Sequence, residues 1–549
     1  MKSRVIAIGL DATDPLLLEQ WMDEGHLPNL ARFRARGTFG SLENVRYYRT
    51  ETSWVTFLTG ALPGQTGEWG HVSYDPARYV VEERSAYGFI KYPPFYALLQ
   101  GRRVAVFDPP LAQPVAGVDG IQVTGWGTEV NQCLRSSRPP ELMAELIARH
   151  GLHPMFESSP AEGKTVGNGD EIYSYRIPSS YEIGQMYALR DRLCLGARRR
   201  ANLMRDLLAR DEWDFFLGVF SETHTAAHLL WHLGREHPLR TPLMQGQAGN
   251  PLRDVFKAVD EALGAVLEAA PGGAHVVLFS IYGIGANVLD LPSMAFLPEL
   301  LYRWSFPGKS ALGTATGRSD PLAPPRLDYP AHWKEEIWRL RAPGAEAELE
   351  SPAQQEARGD PLAWQPANWY RPRWPAMKAF ALPTYSEGLI RINLEGRDAH
   401  GLVSPQDYGR TCDEICEHLA ELRDARTGVS MVREVVRTRS GPADDEAGRP
   451  PADLIVLWQE QTPTDVVEGV RTGRIGPFPY FRSGGHCSRG FIAATGPGVS
   501  PGSRLPGSSA QDLTATLLCL LGLPVPGYIG GRPIPGIGLP SEGPQQANR

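Results

Sequence analysis

The segment Ser221-Glu-Thr-His-Thr-Ala-Ala-His-Leu-Leu-Trp-His232 spaces three histidines four residues apart. On a helix, His224, His228 and His232 fall along one stripe, and an i, i+4 histidine pair is a chelating arrangement for a transition metal. A lone histidine is usually structural. His224 and His228, just past the apolar run Phe215–Phe220, read as a metal-binding pair, with His232 the weaker third member.

Three other segments carry groups of chemical interest. Asp11 ends the apolar run Val5–Leu10; an acid there caps or turns the chain as readily as it ligates a cation. In Thr50-Glu-Thr-Ser-Trp-Val-Thr-Phe-Leu-Thr-Gly60, Trp54, Phe57 and Leu58 have helical spacing, Thr52 or Ser53 can cap, and Gly60 can end the helix. A hydroxyl at this helix's N-terminus faces unsatisfied amides and the positive dipole end, which favour an alkoxide and an incoming anion. The structural alternative is a plain capping threonine. Finally, Arg482-Ser-Gly-Gly-His486 sets a histidine behind two glycines that permit close backbone approach.

The elements that must position these groups are short buried strands and amphipathic helices. Val5–Leu10, Val104–Phe107, Phe215–Phe220, Val276–Phe279, Leu454–Trp458 and Phe491–Ala494 are continuous apolar runs of the kind found in parallel sheets. Between them, Arg253–Ala270 lines up Val255, Val259, Leu263 and Val266 on one face, and Pro140–His150 opens with proline and stops at Gly151. Alternation of this kind predicts an α/β fold with a doubly wound, mostly parallel central sheet flanked by helices and carrying cap-type insertions. Ligands in such folds gather beyond the carboxyl ends of the strands, where Asp11, Asp108 and Ser221–His224 fall.

Residues near 65–103 and 127–200 are rich in Tyr, Pro, Arg and Gly and read as elaborations over the sheet. Residues 306–375 hold many prolines and several tryptophans with little periodicity, and read as an insertion or cap. The expected organisation is one catalytic domain built from residues 1–305 and 376–534, with a disordered tail at 535–549. Cys412 and Cys416, beside His418, lie on a helical pattern with Ile415, Leu419 and Leu422 and fit packing better than metal binding.

The chain has 549 residues, 42% hydrophobic and 21% charged, as in an ordinary globular protein. Its net charge of −7 offers no bulk attraction to nucleic acid or to an anionic membrane, so an anionic small molecule would have to be captured locally. There is no secretory pattern and no run of the roughly 18 to 20 apolar residues of a spanning helix. A soluble, cytoplasmic protein with reduced thiols is the expectation.

In their order and spacing these segments resemble the alkaline phosphatase superfamily, in its type I phosphodiesterase/nucleotide pyrophosphatase branch. Asp11 looks like the first metal ligand. Thr50, nine residues before Thr59-Gly60, matches the nucleophile segment, and His224 and His228 sit where that branch has Asp-x-x-x-His. His486 resembles its late histidine ligand, followed by Gly496-Pro-Gly498. Leu27–Gly37 and the stretch from Asp512 to Pro526 resemble its first and closing helices. The resemblance implies Thr50 as nucleophile and Asp11, His224, His228 and His486 as metal ligands.

The chain departs from that pattern in one place. Where the family has Ser-Asp-His-Gly-Met, it reads Ser280-Ile281-Tyr282-Gly283-Ile284. Isoleucine cannot coordinate an ion and neutral tyrosine rarely does. His224, His228 and His486 then form a three-histidine set suited to one zinc with an open position. Asp11 and Thr50 keep too few partners for a second ion unless Glu222 or Asn287 has moved in.

The implied activity is metal-dependent hydrolysis of a phosphoric ester or anhydride. Alternatives are transfer of a phosphoryl-type group to a small acceptor, or a pseudoenzyme that binds without turnover. Arg391 and Asn393, in Arg391-Ile-Asn-Leu-Glu-Gly-Arg397, suit an anionic substrate or a structural ion pair. Trp126, in Gly-Trp-Gly, could stack on a base or simply pack.

Overall fold

The structure is a computed structural model that describes residues 3–45, 51–83, 87–89, 91–127, 132–157, 164–166, 170–174, 178–244, 249–313, 326–329, 331–444 and 448–538. The apolar runs form strands because burial on both faces suits β-branched and aromatic side chains. Val5–Leu10, Phe215–Phe220 and His275–Ser280 are buried at every position. They lie in a 12-stranded sheet whose centre is parallel, in the order His275–Ser280, Val5–Leu10, Phe215–Phe220, Val104–Phe107, Gly120–Thr124. Antiparallel strands flank this centre, Arg489–Thr495 on one side and Gln132–Arg138 on the other. The fold is thus α/β with a mostly parallel sheet covered by helices. Pro251–Ala269, capped by Asn250, packs along the 27-residue helix Ile183–Ala209.

The 127–200 region is therefore more than an overlay. It supplies the strand Gln132–Arg138 that extends the sheet and the start of a main covering helix.

Two strand expectations change, the first being Phe491–Ala494, which joins the main sheet but pairs antiparallel with both of its neighbours. Leu454–Trp458 is a buried strand outside the main sheet; it lies in a four-stranded antiparallel sheet with Ala379–Leu382, Gly388–Ile392 and Val432–Arg437. The main sheet accordingly resumes at Arg489, not near Met377. The intervening chain builds its own hydrophobic core, from Val288 to Phe481, joined by Val72, Tyr79 and Val81. Trp333, Ile337, Trp369 and Trp374, in the stretch expected to be an aperiodic cap, are buried in that second core. The helical turns that carry Trp369 and Trp374 have proline in their first turn, where its missing N–H costs nothing, while Trp333 and Ile337 lie on the helix Trp333–Arg339. Of the expected disordered tail, residues 535–538 are described, and Ile537 is buried and bridged to Val499; the remainder lies outside the described residues. No helix among the described residues is long and apolar enough to cross a membrane.

Candidate active site and metal centre

Parallel pairing of Leu10 with Phe220 brings the carboxyl ends of two central strands together. The Asp11 amide donates to the Phe220 carbonyl at 2.9 Å, and the Thr223 hydroxyl donates to the Asp11 carbonyl at 2.7 Å. These bonds tie the first turn of the helix Glu222–Gly234 to the end of the first strand. His224 is thereby set beside Asp11, whose Oδ2 accepts from His224 Nδ1 at 2.8 Å. Asp11 Oδ1 accepts from the Trp54 indole at 3.0 Å.

His486 arrives from the far end of the chain on the strand Gly484–Cys487, which pairs with Gly283–Ala286 so that His486 faces Ile284. The strand also lies flat on the histidine helix. A Cβ at Gly484 would sit 2.0 Å from the Ala227 carbonyl oxygen, so only glycine permits this approach. The same residue's carbonyl accepts from His228 Nδ1 at 2.7 Å.

The result is three buried imidazoles whose Nε2 atoms converge: His224 to His228 at 2.9 Å, His224 to His486 at 3.0 Å and His228 to His486 at 3.2 Å. Carboxylates and carbonyls only accept, so His224 and His228 carry their protons on Nδ1 and present bare lone pairs at Nε2. Two lone pairs at such distance repel unless a cation lies among them. Tetrahedral zinc, with Zn–N bonds of about 2.0–2.1 Å, sets its nitrogens roughly 3.3 Å apart, close to the spacing here. The residues fit a single transition-metal ion. Burial, reinforced by the nearby charge of Arg482, holds His228 well below the usual histidine value, which keeps it neutral.

Several further groups surround the cluster, of which Tyr385 carried no signal in the sequence. Tyr282 packs edge-on, its ring centroid 5.1 Å from that of His486 and 6.0 Å from that of His224. The second core contributes Tyr385, 6.5 Å from His486 and 4.4 Å from His71. Arg482 lies over the Tyr385 ring at 5.3 Å and is held by Asp290 at 2.8 Å. The cluster thus sits where the two cores meet.

A buried charge network supports the start of the histidine helix. Arg200 donates from Nε to both Glu222 oxygens, at 2.8 and 3.0 Å, and from Nη1 to Asp108 at 2.7 Å. His153 meets Glu222 at 3.1 Å, and Asp108 accepts from the amides of Trp126 and Gly127. Burial alone would raise the Glu222 value, but the charge of Arg200 and the bond to His153 outweigh it and hold the carboxyl below its usual range. Burial lowers His153. A buried arginine of this kind follows from partners distant in sequence, which periodicity does not reveal.

Thr50 lies outside the described residues. Three residues expected to meet substrate are instead consumed inside the fold. Trp126 is fully buried, donates to the Gly151 carbonyl at 3.1 Å and has Arg200 over its ring, so no base can stack on it. Arg391 is ion-paired to Asp398 at 3.0 Å and bonded to the Pro451 carbonyl. Asn393 is fully buried against Tyr79 and the carbonyls of Trp374 and Met377. Both serve the second core. His232 contacts Ser483 through Nδ1 at 2.7 Å and is not part of the converging set. Cys412 packs in the second core. Asp11, expected as a ligand, borders the histidine set without belonging to it.

A mostly parallel sheet flanked by helices, with this site at its carboxyl edge, is the architecture of an α/β protein that gathers ligands at its strand ends. The chain belongs to the type I phosphodiesterase/nucleotide pyrophosphatase family, whose model matches residues 5–304, more than half its length. Among solved structures, phosphonoacetate hydrolase from Sinorhizobium meliloti 1021, in complex with phosphonoformate, is 14% identical over 95% of each chain, with a TM-score of 0.42. Murine ectonucleotide pyrophosphatase/phosphodiesterase 5, in an inactive form in complex with AMP, is 11% identical over 96% of each chain, with a TM-score of 0.44. No curated protein sequence matches the chain.

Two outcomes follow from this geometry. Gly484→Ala should displace the strand that carries His486, lowering metal content while the main sheet keeps its circular dichroism; metal analysis of the purified variant checks it. Arg200→Met strands two buried carboxylates and should cost about 3–5 kcal/mol. Because Glu222 is depressed, its contribution is present above the ordinary carboxylate value and lost as pH falls through its lower folded value. Neutral, buried His153 adds a loss that begins as pH drops below the usual histidine range. In Arg200→Met the stranded carboxylates instead take up protons readily, so the loss in thermal midpoint relative to wild type should be largest near neutral pH and shrink as pH falls, as a pH series of thermal midpoints will show.

Proposed function

We propose that the protein is a metal-dependent hydrolase of phosphoric esters or anhydrides, acting on a phosphodiester or nucleotide-like small molecule with Thr50 as nucleophile. The observation that carries this reading is the convergence of the His224, His228 and His486 Nε2 atoms at the carboxyl edge of the sheet. A divalent ion held there, most simply zinc, would supply Lewis-acid stabilisation of charge on a phosphoryl oxygen.

The chain's own groups do the rest. Thr50 directly precedes the helix Glu51–Thr59, whose leading amides and positive dipole end favour an alkoxide and an anionic substrate. The Thr50 oxygen gives up its proton and attacks phosphorus in line, the bond to the leaving oxygen breaks, and that oxygen takes up a proton in turn. Water then cleaves the phosphothreonine and releases the phosphorylated product. Tyr282 and Tyr385 lie beside the His486 ring, and Arg482 over Tyr385 brings a positive charge near an anionic substrate.

His228→Ala should remove the metal without unfolding the sheet, and wild-type metal content in that variant would defeat the assignment. Thr50→Ala should abolish turnover of phosphodiesters, whereas a lost cap alone costs only about 0.5–2 kcal/mol of stability. Activity and thermal midpoint measured on one preparation separate the two roles. The replacement of the family's Asp-His pair by Ile281-Tyr282 favours a second reading, a pseudoenzyme. A metal-loaded protein inert toward a panel of phosphate mono- and diesters would establish it.

A further inference from the structure

Asp11 is expected to ligate an ion, but its surroundings assign it another task. It is 2% exposed, and both carboxylate oxygens are engaged: Oδ1 with the Trp54 indole N–H at 3.0 Å, Oδ2 with His224 Nδ1 at 2.8 Å. The indole is itself fixed, packed against Phe57 and Phe279 with ring centroids 5.8 and 6.2 Å apart. The carboxylate is therefore clamped from one side and aimed at the imidazole on the other.

No other described side chain nearby completes a second ion site around it. Ile281 is apolar and buried. Glu222, which could have moved in, is saturated by Arg200 and His153. The Asn287 side-chain oxygen accepts from the amides of Leu289 and Asp290, and its nitrogen donates to the Arg482 carbonyl.

We infer that Asp11 is a positioning residue for His224, forming a Trp54–Asp11–His224 chain that orients one ligand of a single-ion centre. The chain does three things. It keeps the His224 proton on Nδ1, so that Nε2 faces the ion. It holds the ring against rotation, and its negative charge makes the imidazole a stronger donor and balances the charge of an ion held by neutral ligands. The counterpart for His228 is the Gly484 carbonyl, which fixes the tautomer but brings no charge. His224 is accordingly the ligand whose strength responds most to its partner.

This inference rests on the metal reading proposed above, and metal binding tests it without recourse to turnover. Metal-free protein is titrated with Zn²⁺ and with Co²⁺, following heat and the cobalt visible spectrum. Wild type should bind one ion per chain. Asp11→Ala should still bind one, about 10- to 100-fold more weakly, with a shifted cobalt spectrum. Asp11→Asn, whose amide oxygen still accepts from Nδ1–H, should recover part of that loss. Trp54→Phe should weaken binding in the same direction by less. The two milder variants, Asp11→Asn and Trp54→Phe, with circular dichroism recorded on each, keep the test decisive if Asp11→Ala fails to fold. Two ions in wild type, with one lost in Asp11→Asn, would make Asp11 a ligand and overturn the inference. Unchanged affinity in Asp11→Asn and Trp54→Phe would overturn it as well. A folded wild type that binds no ion at all would instead remove the metal reading itself.

Discussion

An imidazole nitrogen is a ligand only while its proton is held elsewhere, and the arrangement of this site follows from that constraint. Two acceptors, the Asp11 carboxylate and the Gly484 carbonyl, keep the protons of His224 and His228 on Nδ1. One acceptor ends the first strand of the parallel sheet, and the other lies near the end of the chain. Their meeting on one helix requires the sheet register that ties Asp11 to Phe220 and the glycine that lets the late strand touch Ala227. Neither local segment produces the cluster alone.

The replacement of an acid and a histidine by Ile281 and Tyr282 bears directly on this arrangement. A buried carboxylate without a cation is costly and must find another partner. Asp11 finds the indole of Trp54 and the imidazole of His224, the residue that stands where the family has an aspartate. A histidine at position 224 gives Asp11 a donor, and isoleucine at 281 offers no carboxylate with which to hold a cation. Tyr282 then contributes an aromatic edge to the histidine rings.

The second core gives the site its other wall. Tyr385 and Arg482 approach from outside the main sheet, with Arg482 anchored by Asp290 and stacked on Tyr385. Its positive charge lies close enough to disfavour protonation of His228. On the opposite side, the network of Arg200, Glu222, Asp108 and His153 locks the first turn of the histidine helix to the neighbouring strand ends. Rigid support on that side and aromatic and cationic groups on the other suit a site that binds a small anionic molecule in a fixed orientation.

The sequence by itself determined the features that depend on near neighbours. Continuous apolar runs identified the buried strands, the i, i+4 spacing identified His224 and His228, and the double glycine marked a close backbone approach before His486. Those signals are local because strand burial, helix periodicity and glycine's conformational freedom are properties of a few consecutive residues. Tertiary structure alone decided the rest. A run such as Leu454–Trp458 shows burial on both faces but not which sheet covers it, so its place in the second core was invisible. Arg391, Asn393 and Trp126 look equally suited to a ligand or to the interior, and their roles were settled by Asp398, Tyr79 and Gly151, partners that only folding brings near. Arg200 gave no signal because its value lies in Glu222 and Asp108, 22 and 92 residues away. Charge pairing inside a protein depends on distance in space, and chain position does not encode that distance until the sheet has assembled.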